Sequence, residues 1–143
     1  MRIGIIVAME KEFTQLKTLL DDCSAERHNG KDFVLGTIDD NDVIMQQCGI
    51  GKVNSTIGTV EMIDTYHPDL IISTGVAGGA DITLNVTEVV VSTECAYHDV
   101  YCGSECEYGQ LIGTPARFAS PGELIKKAMA VDCGTPIHSG LIV

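Results

Sequence analysis

Glu12 is the side chain in this sequence placed where chemistry would need a charge and packing would not. It lies in a segment whose apolar residues Phe13, Leu16, Leu19 and Leu20 recur three and four apart, the stripe of a helix predicted from about Glu10 to Leu20. Four residues before Leu16 and seven before Leu19, Glu12 shares that inward side, where an apolar residue would be easier to bury. Glu10 and Lys11 fall further round, toward water. A carboxylate in the first turn of a helix is favoured by the positive end of the helix dipole, which keeps it ionised. It could serve as a base, or simply complement the dipole.

A second stretch, Asp69 to Ala80, has the composition of a ligand-binding edge. The short apolar run Leu70 to Ile72, with Pro68-Asp69 before it, reads as a fully buried strand. Gly75, Gly78 and Gly79 follow, with only Val76 and Ala77 between them. Such glycines allow a tight turn, and they also let a backbone approach a ligand and present N–H groups to it. In open α/β sheets, ligands collect at the carboxyl ends of the strands.

Other candidates carry less. Gly49-Ile50-Gly51-Lys52 resembles a phosphate loop but lacks the G-x-x-x-x-G-K-[ST] spacing. His98-Asp99 could form an acid–base pair or be a loop histidine holding its neighbours. Cys102 and Cys106 beside them form a C-x-x-x-C without a second pair, too little for a metal site. The six cysteines show no disulfide framework and read as thiols in a reducing compartment.

The elements that position these groups alternate. Strands are predicted at residues 3–7, 33–38, 43–47, the 70–72 run, 86–91 continued by 93–97, and 137–143. Helices are predicted at 10–20, from about 52 to 66 with Val53, Ile57, Val60 and Ile63 in period, and from Pro121 with Leu124, Ile125, Ala128 and Met129. Alternation of this kind implies a parallel or mixed sheet with helices on both faces. The 143 residues suffice for one domain with a core. The stretch from His98 to Phe118, about twenty residues without a periodic pattern, is of a length that is usually functional. Because Leu141-Ile142-Val143 are as apolar as the central strand and no helix follows, an incomplete domain is expected.

Composition narrows the partners. With 45% apolar and 20% charged residues the chain is that of an ordinary globular protein. No run approaches the roughly 18 apolar residues of a membrane span, and Met1-Arg2-Ile3-Gly4 leads directly into a strand rather than a signal peptide. A formal charge of −11 opposes binding to nucleic acid or to an anionic lipid surface. A cytoplasmic protein without a membrane or nucleic-acid partner is expected.

Four segments in this order, IGIIVAMEKE at 3–12, CGIGKVN at 48–54, PDLIISTGVAGG at 68–79, and YHDV with EYGQL at 97–100 and 107–111, resemble the nucleoside phosphorylase and nucleosidase superfamily. The likeness is strongest to its bacterial 5′-methylthioadenosine/S-adenosylhomocysteine nucleosidases. It implies a three-layer α/β/α fold with a central mixed sheet, a single domain over 1–143 that is incomplete, and a homodimer. The implied reaction is hydrolysis of the N-glycosidic bond of a 5′-thioalkyl adenosine, releasing adenine and a thioribose in methionine salvage, with no cofactor and no metal.

Cleavage at an anomeric carbon passes through an oxocarbenium-like state and needs a base for water and an acid for the leaving group. The resemblance places the base at Glu12 and substrate contacts at Met9, Ile50, Ala77 and Gly78. Val76 stands where some relatives have a serine supporting the acid. The acid itself, an aspartate protonating the purine, and a Met-Glu pair for the ribose belong to a later part of the family pattern than Val143, so the chain by itself is expected to be inactive. The 98–118 segment resembles one that walls a neighbouring subunit's 5′ pocket. Two alternatives stand beside this reading: a purine nucleoside phosphorylase of the same fold, and a truncated, non-catalytic nucleoside-binding domain. A phosphorylase would need arginines converging on phosphate, and the chain's arginines are Arg2, Arg27 and Arg117, none of them in the glycine turns.

Overall fold

The apolar run after Met1 forms strand β1, Arg2–Val7, in the computed structural model, which describes residues 1–143 as two compact units, Met1–Gly78 and Gly79–Val143. In the first unit β1 is followed by α1 (Glu10–Lys17), β2 (Asp21–His28), β3 (Lys31–Ile38), β4 (Asn41–Gln47), α2 (Lys52–Tyr66) and β5 (Leu70–Ser73). The five strands make one mixed sheet in the order β2-β3-β4-β1-β5. β4, β1 and β5 are mutually parallel, whereas β2-β3 and β3-β4 are antiparallel hairpins.

Alternation along the strands divides the core into two layers. Ile6, Phe33 and Ile44 point to one face and pack with Cys48 and with Met62 and Tyr66 of α2. Their neighbours Ile5, Val34, Val43 and Met45 point to the other face and pack with Leu20 and with Phe13 and Leu16 of α1. The unit is thus a three-layer α/β/α arrangement, with one helix on each side of the sheet. The predicted stripe of the first helix holds for Phe13 and Leu16, and Leu20 is buried beyond the helix end. Leu19 lies beyond the end of α1 at Lys17 and is exposed.

α2 packs by a different face from the one its hydrophobic period marks. The residues it buries are Gly58, Met62 and Tyr66, spaced four apart, while Val53, Ile57, Val60 and Ile63 are 45–73% exposed. The cause is close approach at Gly58. A Cβ there would run into the Gln46 carboxamide and lie 2.9 Å from Cys48 Cβ, so the helix can sit on the strand only with its smallest residue inward. At the far end of the helix, Tyr66 meets Phe33 and His28 edge-on at centroid distances of 5.0 and 5.6 Å. Its hydroxyl donates to Glu26 at 3.1 Å. Burial, and then that carboxylate, push the phenol up to about 12, so it remains a neutral donor.

Two elements differ from the sequence expectation. β2 was not anticipated because its residues, DDCSAERH, carry no apolar alternation and seven of the eight are exposed. It is a strand because the Asn29-Gly30 turn, with φ of 46° and 78°, folds it back on β3. β5 is also less buried than expected, with Ile72 42% exposed, because it pairs only with β1 and forms the sheet's edge.

The second unit contains β6 (Val89–Cys95), β7 (Phe118–Ala119), α3 (Gly122–Met129) and β8 (Ile137–Ile142). Its sheet has the order β7-β6-β8, with β8 parallel and β7 antiparallel to β6, and α3 lies against β6 and β8. β6 starts three residues later than predicted. The preceding turn is closed by Glu88, whose carboxylate accepts from Asn85 N–H and Nδ2 at 2.9 and 3.0 Å, leaving Val86 exposed. Those bonds, with His138 at 3.0 Å, hold the Glu88 carboxyl below its ordinary range. No helix of either unit is long and apolar enough to cross a membrane.

Candidate active site

Three turns leave the sheet at the same edge because three adjacent parallel strands end together. In register, Val7 of β1 is opposite Gln47 of β4, and Ile6 of β1 is opposite Ser73 of β5. The segments that follow, Ala8 to Glu12, Cys48 to Lys52 and Thr74 to Gly78, therefore emerge side by side at the strands' carboxyl ends. Backbone bonds continue the alignment past the strands, from Cys48 N–H to Val7 O at 2.9 Å and from Thr74 N–H to Ile6 O at 3.1 Å.

Glu12 is the side chain that ties two of these turns together. It is the third residue of α1, half-buried, and its Oε2 reaches back to accept from the N–H of Met9 at the helix start, at 3.0 Å. This is the carboxylate half of a capping box. Its Oε1 accepts from the N–H of Val76 in the glycine turn at 2.8 Å. Both oxygens are thus held by backbone donors from different strand ends. Val76 N–H, which the sequence reading would have offered to a ligand, is engaged by Glu12 instead. The Val76 side chain points outward and is 77% exposed.

The other predicted positions lie on the same edge, and of them Met9 shares the contact through its N–H. Ile50 is 72% exposed at the top of the second turn, where its carbonyl accepts from Asn54 Nδ2 at 2.8 Å. Gly49 and Gly51 on either side have φ of 95° and 97°, a conformation that explains both glycines. Ala77 and Gly78 are exposed at the end of the third turn, and Met9 is half-buried. Together these surfaces form an open shelf whose one charged, doubly tethered group is Glu12.

Cys48 was not singled out as a site residue by its sequence. Its single S–H is shared between Val7 O and Gly49 O, both 3.3 Å from Sγ, pinning the second turn to the end of β1. Burial is the main cause that pushes this thiol up, so it stays a protonated donor rather than a nucleophile. Its position directly after an apolar strand and before a glycine was the available signal. His98 and Asp99 are both exposed, and all six cysteines are free. No three His, Cys, Asp or Glu side chains are grouped so as to hold a metal ion.

This arrangement of strand ends and turns belongs to a recognisable family. The model of the phosphorylase superfamily matches residues 2–143. The chain belongs to that superfamily. Among curated relatives of this phosphorylase-superfamily chain, the 5′-methylthioadenosine/S-adenosylhomocysteine nucleosidase of Bacillus pumilus (strain SAFR-032) is 42% identical over 129 residues, 90% of this chain and 56% of that protein. The protein of the same name from Bacillus subtilis (strain 168) is 43% identical over 126 residues, 87% of this chain and 54% of its own length.

Solved structures agree with the sequence comparison. The nucleosidase of Colwellia psychrerythraea, crystallised with adenine, superposes with a TM-score of 0.92 at 39% identity over 99% of this chain and 60% of that one. The Neisseria meningitidis nucleosidase in complex with methylthio-immucillin-A also gives a TM-score of 0.92, at 35% identity, over 99% of this chain and 63% of that one. The chain spans a little over half the length of the curated relatives it matches.

Proposed function

We propose that the protein carrying this chain is an N-glycosyl hydrolase that cleaves 5′-methylthioadenosine and S-adenosylhomocysteine to adenine and the corresponding thioribose. The observation that carries the reading is the Glu12 carboxylate, held by the Met9 and Val76 N–H groups at the carboxyl edge of the parallel strands, in a family member similar to nucleosidases of that name. In this role Glu12 takes a proton from water as the glycosidic bond lengthens and the sugar becomes oxocarbenium-like. Met9, Ile50, Ala77 and Gly78 contribute the shelf against which the nucleoside lies. A hydrolase is favoured over a phosphorylase because the carboxylate tethered on this shelf attracts a developing cation and repels phosphate.

The test is release of adenine from methylthioadenosine by the product of the complete reading frame, with and without phosphate. Release at the same rate in both supports hydrolysis, whereas release that requires phosphate overturns it in favour of the phosphorylase alternative. Binding of the nucleoside without cleavage would support the non-catalytic alternative.

We also propose a homodimer in a reducing, cytoplasmic setting, consistent with the six free thiols. Val53, Ile57 and Val60 form an exposed apolar line on α2, on the side away from Gly58, Met62 and Tyr66. A helix apolar on both sides is one that packs on both sides. A second copy meeting this line would cover it. Ile57→Glu is expected to halve the mass measured by sedimentation, and an unchanged dimer would move the interface elsewhere.

A further inference from the structure

Gly75 stands in the glycine turn one residue before the N–H that holds Glu12. Its φ is not positive, so the backbone does not require glycine there. What requires it is Glu12. A Cβ at position 75 would lie 2.8 Å from Glu12 Oε1, 3.1 Å from its Cδ and 3.3 Å from its Oε2, and those are the three nearest atoms. The carboxylate lies directly over the Cα of Gly75, and this close approach lets Oε1 reach Val76 N–H at 2.8 Å while Oε2 keeps Met9 N–H at 3.0 Å.

We propose that Gly75 is a positioning residue for Glu12: by lacking a side chain it seats the carboxylate between the Met9 and Val76 amides, in the one place where both oxygens are tethered. The inference rests on the nucleosidase reading for its consequence in catalysis, though not for its geometry. A methyl group at 75 would push aside the far end of a flexible side chain, so the fold would survive. Glu12 would then swing off Val76. A displacement of about 1 Å in a catalytic group costs on the order of a hundredfold in rate.

Gly75→Ala in the intact protein is therefore expected to lower kcat about a hundredfold with KM little changed. In a Glu12→Gln background the same substitution should cause no further loss, because the carboxylate it displaces is already gone. A second readout is independent of turnover. With 15N-valine labelling, the Val76 amide proton in Gly75→Ala should move upfield toward its position in Glu12→Ala, since both variants remove the same acceptor. Losses that multiply in the double variant would overturn the proposal, and so would a Val76 amide left where it is in the parent. Failure of the parent to release adenine would count against the nucleosidase reading alone, and the Val76 amide would then decide the role of Gly75 by itself.

Discussion

Glu12→Gln in the intact protein is expected to lower turnover of methylthioadenosine, the proposed substrate, by roughly 10²- to 10⁴-fold, the range for loss of a general base. The substitution preserves shape but alters the site in two ways. It removes the charge that, in the proposed reaction, accepts the proton from water and stabilises a cationic sugar. It also replaces one acceptor with a donor: Glu12 takes Met9 N–H on one oxygen and Val76 N–H on the other, and a carboxamide can satisfy only one of them. KM should change little, because the proposed nucleoside contacts at Met9, Ile50, Ala77 and Gly78 are left intact. Steady-state assays that separate kcat from KM provide the check. Turnover within a few-fold of the parent would remove Glu12 from the mechanism and leave it as a helix cap.

The second large effect concerns stability rather than chemistry. Phe33→Ala should destabilise the protein by about 3–5 kcal/mol, read as a lower midpoint in urea. Phe33 is 1% exposed and packs with Ile6, Ile44 and Met62 in the layer beneath α2. It also holds Tyr66 and, at 6.3 Å, His28 edge-on. Truncation would leave a cavity where β3, β4 and α2 meet, and edge-to-face contacts worth about 0.5–1.5 kcal/mol each would be lost with it. Against a total stability of about 5–15 kcal/mol for a typical domain, the change is large. A loss below about 1 kcal/mol would show that this cluster is not what keeps α2 on the sheet.

The two predictions draw on different parts of the same sheet, a packed face at Phe33 of β3, opposite Gln46, and a turn beyond the end of β1. Phe33 and its neighbours fix the sheet and α2 as a frame, and the turns that leave the frame hold Glu12 and the glycines. This division explains why the site can tolerate exposure at Ile50, Val76, Ala77 and Gly78. Their placement comes from strand register and from Cys48 bonded to Val7, not from packing of their own side chains.

Much of this was readable in the residues. Short apolar runs marked β1, β4 and β5, the last two followed by glycine turns, and helical spacing marked α1, α2 and α3, because those signals are local. The inward position of Glu12 followed from its spacing to Leu16, whereas Leu19, the other reference, lies beyond α1 and is exposed. β2 escaped notice because a polar hairpin arm is a strand only through its partner, although Asn29-Gly30 was the signal for the turn. The period of α2 revealed an apolar face and not which side would meet the sheet, a choice made by the closeness that Gly58 permits to Gln46 and Cys48.

The contact between Glu12 and the Gly75-Val76 segment could come only from the folded chain. The partners are more than sixty positions apart, and no pattern within either segment refers to the other. By itself the sequence determined that an acid would face inward at the first helix and that a glycine turn would follow an apolar strand. Tertiary structure decided that the two would touch, because β1 and β5 pair in parallel and end at the same edge.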